Sequence, residues 1–143
     1  MAELVVTAEV SAPAQDVWDV LTDWKQHDRW MLLTSASGGG AEGASIQAFT
    51  GVGRLGIHDP MTIVVWEPPR RCVVRHTGRV VRGSGAFEVQ ELGPGRSRIV
   101  WSEWLDLPLG ALGRLGWLLV RPLARLGVAR SLRRLGRLVE ARG

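Results

Sequence analysis

Three histidines, seven tryptophans and a few strand glutamates are the side chains of this 143-residue sequence best equipped for chemistry. His27, His58 and His76 never recur at HxH or HxxxH steps, so neither a metal site nor a cofactor is expected. His27 stands beside Asp28 in a short helical segment and reads as an exposed residue or as a polar group at a pocket mouth. His76 lies mid-strand in RCVVRHT, where it could face solvent or the interior. Glu103 falls in SRIVWSEWLDL, an alternating stretch that puts it on the side of Ile99, Trp101 and Leu105, opposite Val100, Ser102 and Trp104. If that side is the inner one, an apolar pocket holds its carboxyl ready for proton transfer. The alternative is a solvated cross-strand pair with Arg75 or Arg98. Glu103, His76 and Glu88 are therefore the candidate acid/base groups.

Other motifs exclude more than they suggest. Cys72 is the single cysteine, which removes intrachain disulfides and cysteine zinc sites. The spacing GVGRLG, residues 51–56, has no helix after it and does not make a nucleotide loop. Seventeen arginines and one lysine give a net charge of +4, and eight of the arginines lie between Arg114 and Arg142. They are not interleaved with aromatics beyond Trp117, so nucleic acid is not an expected partner. The N-terminus has neither a basic region nor an apolar run of signal length, and no apolar run reaches a membrane span. A cytoplasmic, soluble protein is the expectation.

The elements that must position these groups follow from periodicity. Glu3 to Val10 alternates as a half-buried strand. Ser11-Ala12-Pro13 opens a short helix carrying Val17, Trp18 and Leu21, and Asp23 opens a second from Trp24 to Trp30. Residues 34–43 are small and glycine-rich and read as a loop. Strands are expected over 45–50, 57–67, 71–77, 79–92 with a bend near Gly83, and 97–107, broken by Pro68-Pro69 and Gly93-Pro94-Gly95. From Pro108 a helix of about thirty residues, about 45 Å long, runs to the end. Leu112, Leu115, Leu119, Leu123, Leu126, Leu132, Leu135 and Val139 read as its sheet-facing side, and Pro122 as a kink or break. Strand, two short helices, five or six strands and a long helix do not alternate as a parallel sheet requires. The economical fold is one α+β domain over 1–143, a curved antiparallel sheet of six or seven strands around the long C-terminal helix.

That order, with VTAEVSAPAQDVWDVLTDWKQHDRWM, DPMTIVVWEPPRRCVVRHTG and GSGAFEVQELGPGRSRIVWSEWLDLP, resembles the SRPBCC superfamily of START-like, helix-grip domains, and within it the bacterial polyketide cyclase/dehydrase-like group. The resemblance implies a hydrophobic cavity between sheet and C-terminal helix, with a mouth near the glycine-rich loops. It implies binding of a small hydrophobic molecule, aromatic, polyketide-like or lipid-like, by a monomer or homodimer. Trp30, Met31, Phe49, Trp101, Glu103, Trp104, Trp117, Leu112 and Leu119 are the expected ligand-facing residues. The front half of the long helix, Leu109 to Arg121, is expected to border the opening, and the back half to clamp the sheet. One alternative is a cyclase or dehydratase using a pocket acid/base, although the sequence has no tyrosine to help build one. The other is contact with a membrane surface through the arginine-rich helix.

Overall fold

A computed structural model describes residues 2–107 and 109–142. The chain runs β1 (Ala2–Val10), α1 (Ala14–Leu21), a 3-10 helix (Trp24–Arg29), β2 (Thr34–Gly38), β3 (Ser45–Val52), β4 (Leu55–Glu67), β5 (Arg71–Thr77), β6 (Arg82–Gly93), β7 (Arg96–Leu105) and α2 (Gly110–Arg142). The seven strands form one antiparallel sheet in the order β1-β7-β6-β5-β4-β3-β2. It is a continuous meander from β2 to β7, closed on one side by β1, which pairs with β7 from Ala2↔Leu105 to Val10↔Ser97. This curled sheet with a long C-terminal helix is the helix-grip arrangement.

Alternation decides which side is inner. Leu4, Val6 and Val10 of β1, Phe87 and Val89 of β6, and Ile99 of β7 are buried. Val17, Trp18, Val20 and Leu21 of α1 close over them. Trp18 meets Trp66 edge-on at 5.1 Å and Phe87 at 5.7 Å, which locks α1 to the sheet. The glycine-rich segment expected as a loop is in part a strand. β2 pairs with β3 from Thr34↔Thr50 to Gly38↔Ile46, and Thr34 Oγ1 lies 2.9 Å from Thr50 Oγ1.

The long helix departs from its expected packing in two respects. It continues through Pro122 without a break. Its leucines also do not form one face. At about 100° per residue, Leu112, Leu115, Leu119, Leu123 and Leu126 fall within about 80° of arc, while Leu132, Leu135 and Val139 fall roughly opposite. The six-residue step from Leu126 to Leu132 moves the stripe across the helix. Leu132, Leu135 and Val139 are buried, whereas the first five are exposed. The back half is fastened by polar contacts as well. Ser11 N–H donates to Glu140 Oε2 at 2.9 Å, and Leu32 N–H donates to Ser131 Oγ at 2.9 Å. Arg134 donates to the Arg29 carbonyl at 3.1 Å. α2 lies chiefly along β1 and α1.

Candidate functional site

The inner faces of β2 to β7 leave a cavity that is capped by the 3-10 helix and Met31. Its atom-free space, the open mouth included, is about 650 Å³. Trp24, Met31, Ile46, Met61, Val74, Phe87 and Trp101 supply apolar walls, and Phe87 stacks on Trp101 at 6.0 Å. Trp24 is held by its indole N–H, which donates to the Gly39 carbonyl at 2.7 Å.

One side of this apolar space is polar. His76 of β5 lies between two carboxylates, with Nδ1 2.8 Å from Asp59 Oδ1 and Nε2 2.8 Å from Glu103 Oε2. The three residues come from β4, β5 and β7, and the sheet register explains how they meet. His76 pairs with Met61, so Asp59, two residues away on β4, is its diagonal neighbour on the same face. Glu103 must reach across the whole of β6. It can do so because its partner there is Gly85, which has no side chain. A Cβ at Gly85 would lie 2.8 Å from Glu103 Oε2. Gly85→Ala is therefore expected to push the Glu103 carboxylate off His76 while leaving the fold intact. Titration of the His76 ring by NMR should show a lower pKa than in the parent; an unchanged value would mean that Glu103 contributes nothing to holding the imidazole.

Burial is the largest single influence on His76, and it disfavours the imidazolium. Hydrogen bonds to Asp59 and Glu103 and the charges of both together overcome it, holding the pKa up at about 10. At neutral pH His76 is thus a cation that donates both of its N–H groups to carboxylates. The remaining carboxylate lone pairs make this end of the cavity acceptor-rich.

The other polar groups on the wall are quiet. His27 is buried rather than exposed, because its ring packs 5.1 Å from Trp24 and 4.7 Å from Trp30. Burial lowers its pKa, so it is neutral, and its Nε2–H donates to the Leu21 carbonyl at 2.8 Å. Burial pushes the Cys72 thiol up to about 12, which leaves it protonated and a poor nucleophile. No cluster of His, Cys, Asp and Glu among the described residues is arranged to hold a metal ion.

The structure brings Glu103, His76, Met31 and Trp101 to the cavity, and it adds Asp59, Trp24 and Phe87. The other sequence candidates lie elsewhere. Glu88 is on the opposite face of β6, 3.9 Å from Arg71. Trp104 shares that outward parity on β7. Trp30 is fully buried behind Trp101, whose ring centroid is 6.3 Å away. Phe49 packs on His58 at 4.9 Å, and Trp117 packs against the main core. Leu112 and Leu119 are exposed, because the front half of α2 turns its leucines away from the sheet. No residue of α2 lines the cavity, so its wall opposite the sheet is the 3-10 helix rather than the long helix.

A family model described as polyketide cyclase / dehydrase and lipid transport matches residues 1–140. The chain belongs to this family. Its fold is that of the START-like SRPBCC superfamily. A protein from Thermus thermophilus superposes with a TM-score of 0.82 at 18% identity, over 99% of both chains. The Zhui aromatase/cyclase from Streptomyces sp. R1128 gives 0.81 at 16%, over 99% of this chain and 94% of that one. A START superfamily protein from Mycobacterium smegmatis gives 0.76 at 13%, over 99% of each. At these identities the likeness is one of fold. No curated protein sequence matches the chain.

Proposed function

We propose that this family member binds a small, mainly apolar, ring-shaped molecule that carries a hydrogen-bond donor such as a phenolic or alcoholic hydroxyl. The observation that supports this is the pairing of apolar walls with one acceptor-rich end, Asp59–His76–Glu103. Flat walls such as Phe87 and Trp101 suit a ring. The carboxylate lone pairs left free by His76 suit a donor, and an anion would meet two carboxylates against one imidazolium. Naphthol and naphthalene separate the two contributions. Quenching of tryptophan fluorescence should show naphthol binding more tightly, by about tenfold for one charge-assisted hydrogen bond, and Glu103→Gln should remove most of the difference. Equal affinity for the two probes in the parent would overturn the assignment of the polar end, and no quenching by either would overturn the cavity reading.

A second reading is turnover. An aromatase/cyclase, the Zhui protein, shares the fold, and here a carboxylate–imidazolium–carboxylate set faces an apolar space. Glu103 could accept a proton from a carbon next to a ketone while His76 keeps the carboxylate in place. Cyclisation of a poly-β-ketone analogue, followed by mass spectrometry and absorbance, tests it. Glu103→Gln should abolish the reaction while the analogue still binds.

A further inference from the structure

The cavity does not use the front half of α2, and the protein core does not use its leucines. Leu112, Leu115, Leu119, Leu123 and Leu126 are 65%, 58%, 73%, 70% and 65% exposed. Leu118 and Val120 are exposed beside them, and they widen the apolar arc to about 200°. The same outward face continues past Leu126 into Arg130, Arg133 and Arg137, which are also exposed. On the opposite side of the stretch from Leu112 to Val128, Trp117, Ala124 and Val128 pack against the core, and Arg125 donates to the Val5 carbonyl at 3.0 Å, so the helix is seated with this face outward.

Charge is distributed to match. α2 carries eight of the chain's eighteen basic residues and one of its fourteen acidic ones, Glu140. The rest of the chain holds ten basic and thirteen acidic residues, so the net positive charge is confined to the helix that bears the leucines. We infer that α2 docks on an anionic lipid surface. Leu112, Leu115, Leu119, Leu123 and Leu126 enter the apolar layer, and Arg130, Arg133 and Arg137 meet the phosphates.

The width of the apolar arc selects this occupant. A second copy of the helix would cover a narrow seam and leave Leu118 and Val120 in water. A helix half-sunk in an interface covers such an arc and leaves its arginines at headgroup depth. The helix rests on the bilayer and does not cross it, since no described helix is long and apolar enough to span a membrane.

Flotation of the full chain with phosphatidylcholine vesicles, with and without phosphatidylglycerol, tests the inference. The protein should float with the anionic vesicles, less so as salt rises. The double variant Leu119→Glu/Leu123→Glu should lose binding by more than about tenfold, the least expected when two leucines no longer leave water. Arg130→Glu/Arg133→Glu should weaken binding and flatten its salt dependence. Far-ultraviolet circular dichroism confirms that these exposed substitutions leave the fold unchanged. Glu103→Gln, altered only in the cavity, should float as the parent does, which separates this surface from the ligand site. No flotation of the parent with anionic vesicles at low salt overturns the inference, as does full binding by the leucine variant. A dimer in sedimentation that the leucine variant splits, without vesicle binding, would assign the face to a second copy instead.

Discussion

Replacing His76 by leucine should destabilise the protein by about 3–5 kcal/mol at neutral pH, the range found when one partner of a buried ionic cluster is removed. The His76 side chain is only 4% exposed, and its removal leaves Asp59 and Glu103 facing an apolar cavity without a cation between them. The dependence on pH has a definite sign. A histidine raised to about 10 in the fold contributes stability that is fully present below its unfolded value of about 6.5 and is lost as pH rises towards 10. The parent should therefore weaken over that window, by up to a few kcal/mol. His76→Leu should lack this component of the slope. Cys72, pushed up to about 12, weakens parent and variant alike at high pH, so the difference between them isolates His76. Urea unfolding across this range measures it. Equal midpoints for the two proteins at neutral pH, with parallel pH dependence, would show that the imidazole carries no charge between the carboxylates.

A cluster held this way is not a favourable way to build a core. Replacing all three residues by leucine should recover much of what His76→Leu loses, because well-packed apolar side chains stabilise about as well as a buried ionic set. In the proposed binding role, such a set offers a ligand acceptors held at fixed positions by a cation, in an otherwise apolar space.

How much of this was legible in the sequence follows the range of the interactions concerned. The alternation in SRIVWSEWLDL is local, and it groups Trp101 with Glu103 on one side of β7 while leaving open which side is inner; the structure turns that side to the cavity. The break at Pro68-Pro69, the start of α1 after Pro13 and the overall order of elements are local signals as well. Strand β2 was missed because TSASG has no apolar alternation and becomes a strand only through its pairing with β3. The Asp59–His76–Glu103 cluster was half seen, since its members, on β4, β5 and β7, are joined by register across four consecutive strands. The unused signal was Gly85 opposite Glu103, a gap in β6 through which one side chain reaches another, together with an aspartate in the middle of β4. The burial of His27 was missed because it depends on Trp24 and Trp30 closing around the ring, which neighbours in sequence do not reveal by their periodicity alone.

The long helix shows the same limit within one element. Leucines three and four apart look like a single face when only their steps are counted, yet the step from Leu126 to Leu132 carries the stripe to the far side. Leu135→Ala and Leu119→Ala should therefore behave as different mutations despite identical chemistry. Leu135 is fully buried among the core residues, and its truncation leaves a cavity under the back half of α2 at a cost of about 2–5 kcal/mol. Leu119, 73% exposed, loses contact mainly with water, and its truncation should stay within about 0.5 kcal/mol, as surface substitutions do. Chemical denaturation of both variants in the absence of lipid gives the comparison directly. If Leu119→Ala proved as costly as Leu135→Ala, the front half of α2 would be packed against the protein after all, and the leucines would form the single sheet-facing stripe that their spacing first suggests. A large cost for Leu135→Ala alone establishes that α2 has two faces in series. Its back half is then an anchor to β1 and α1, and the stretch from Leu112 to Leu126 presents its leucines outward, away from the protein's own sheet.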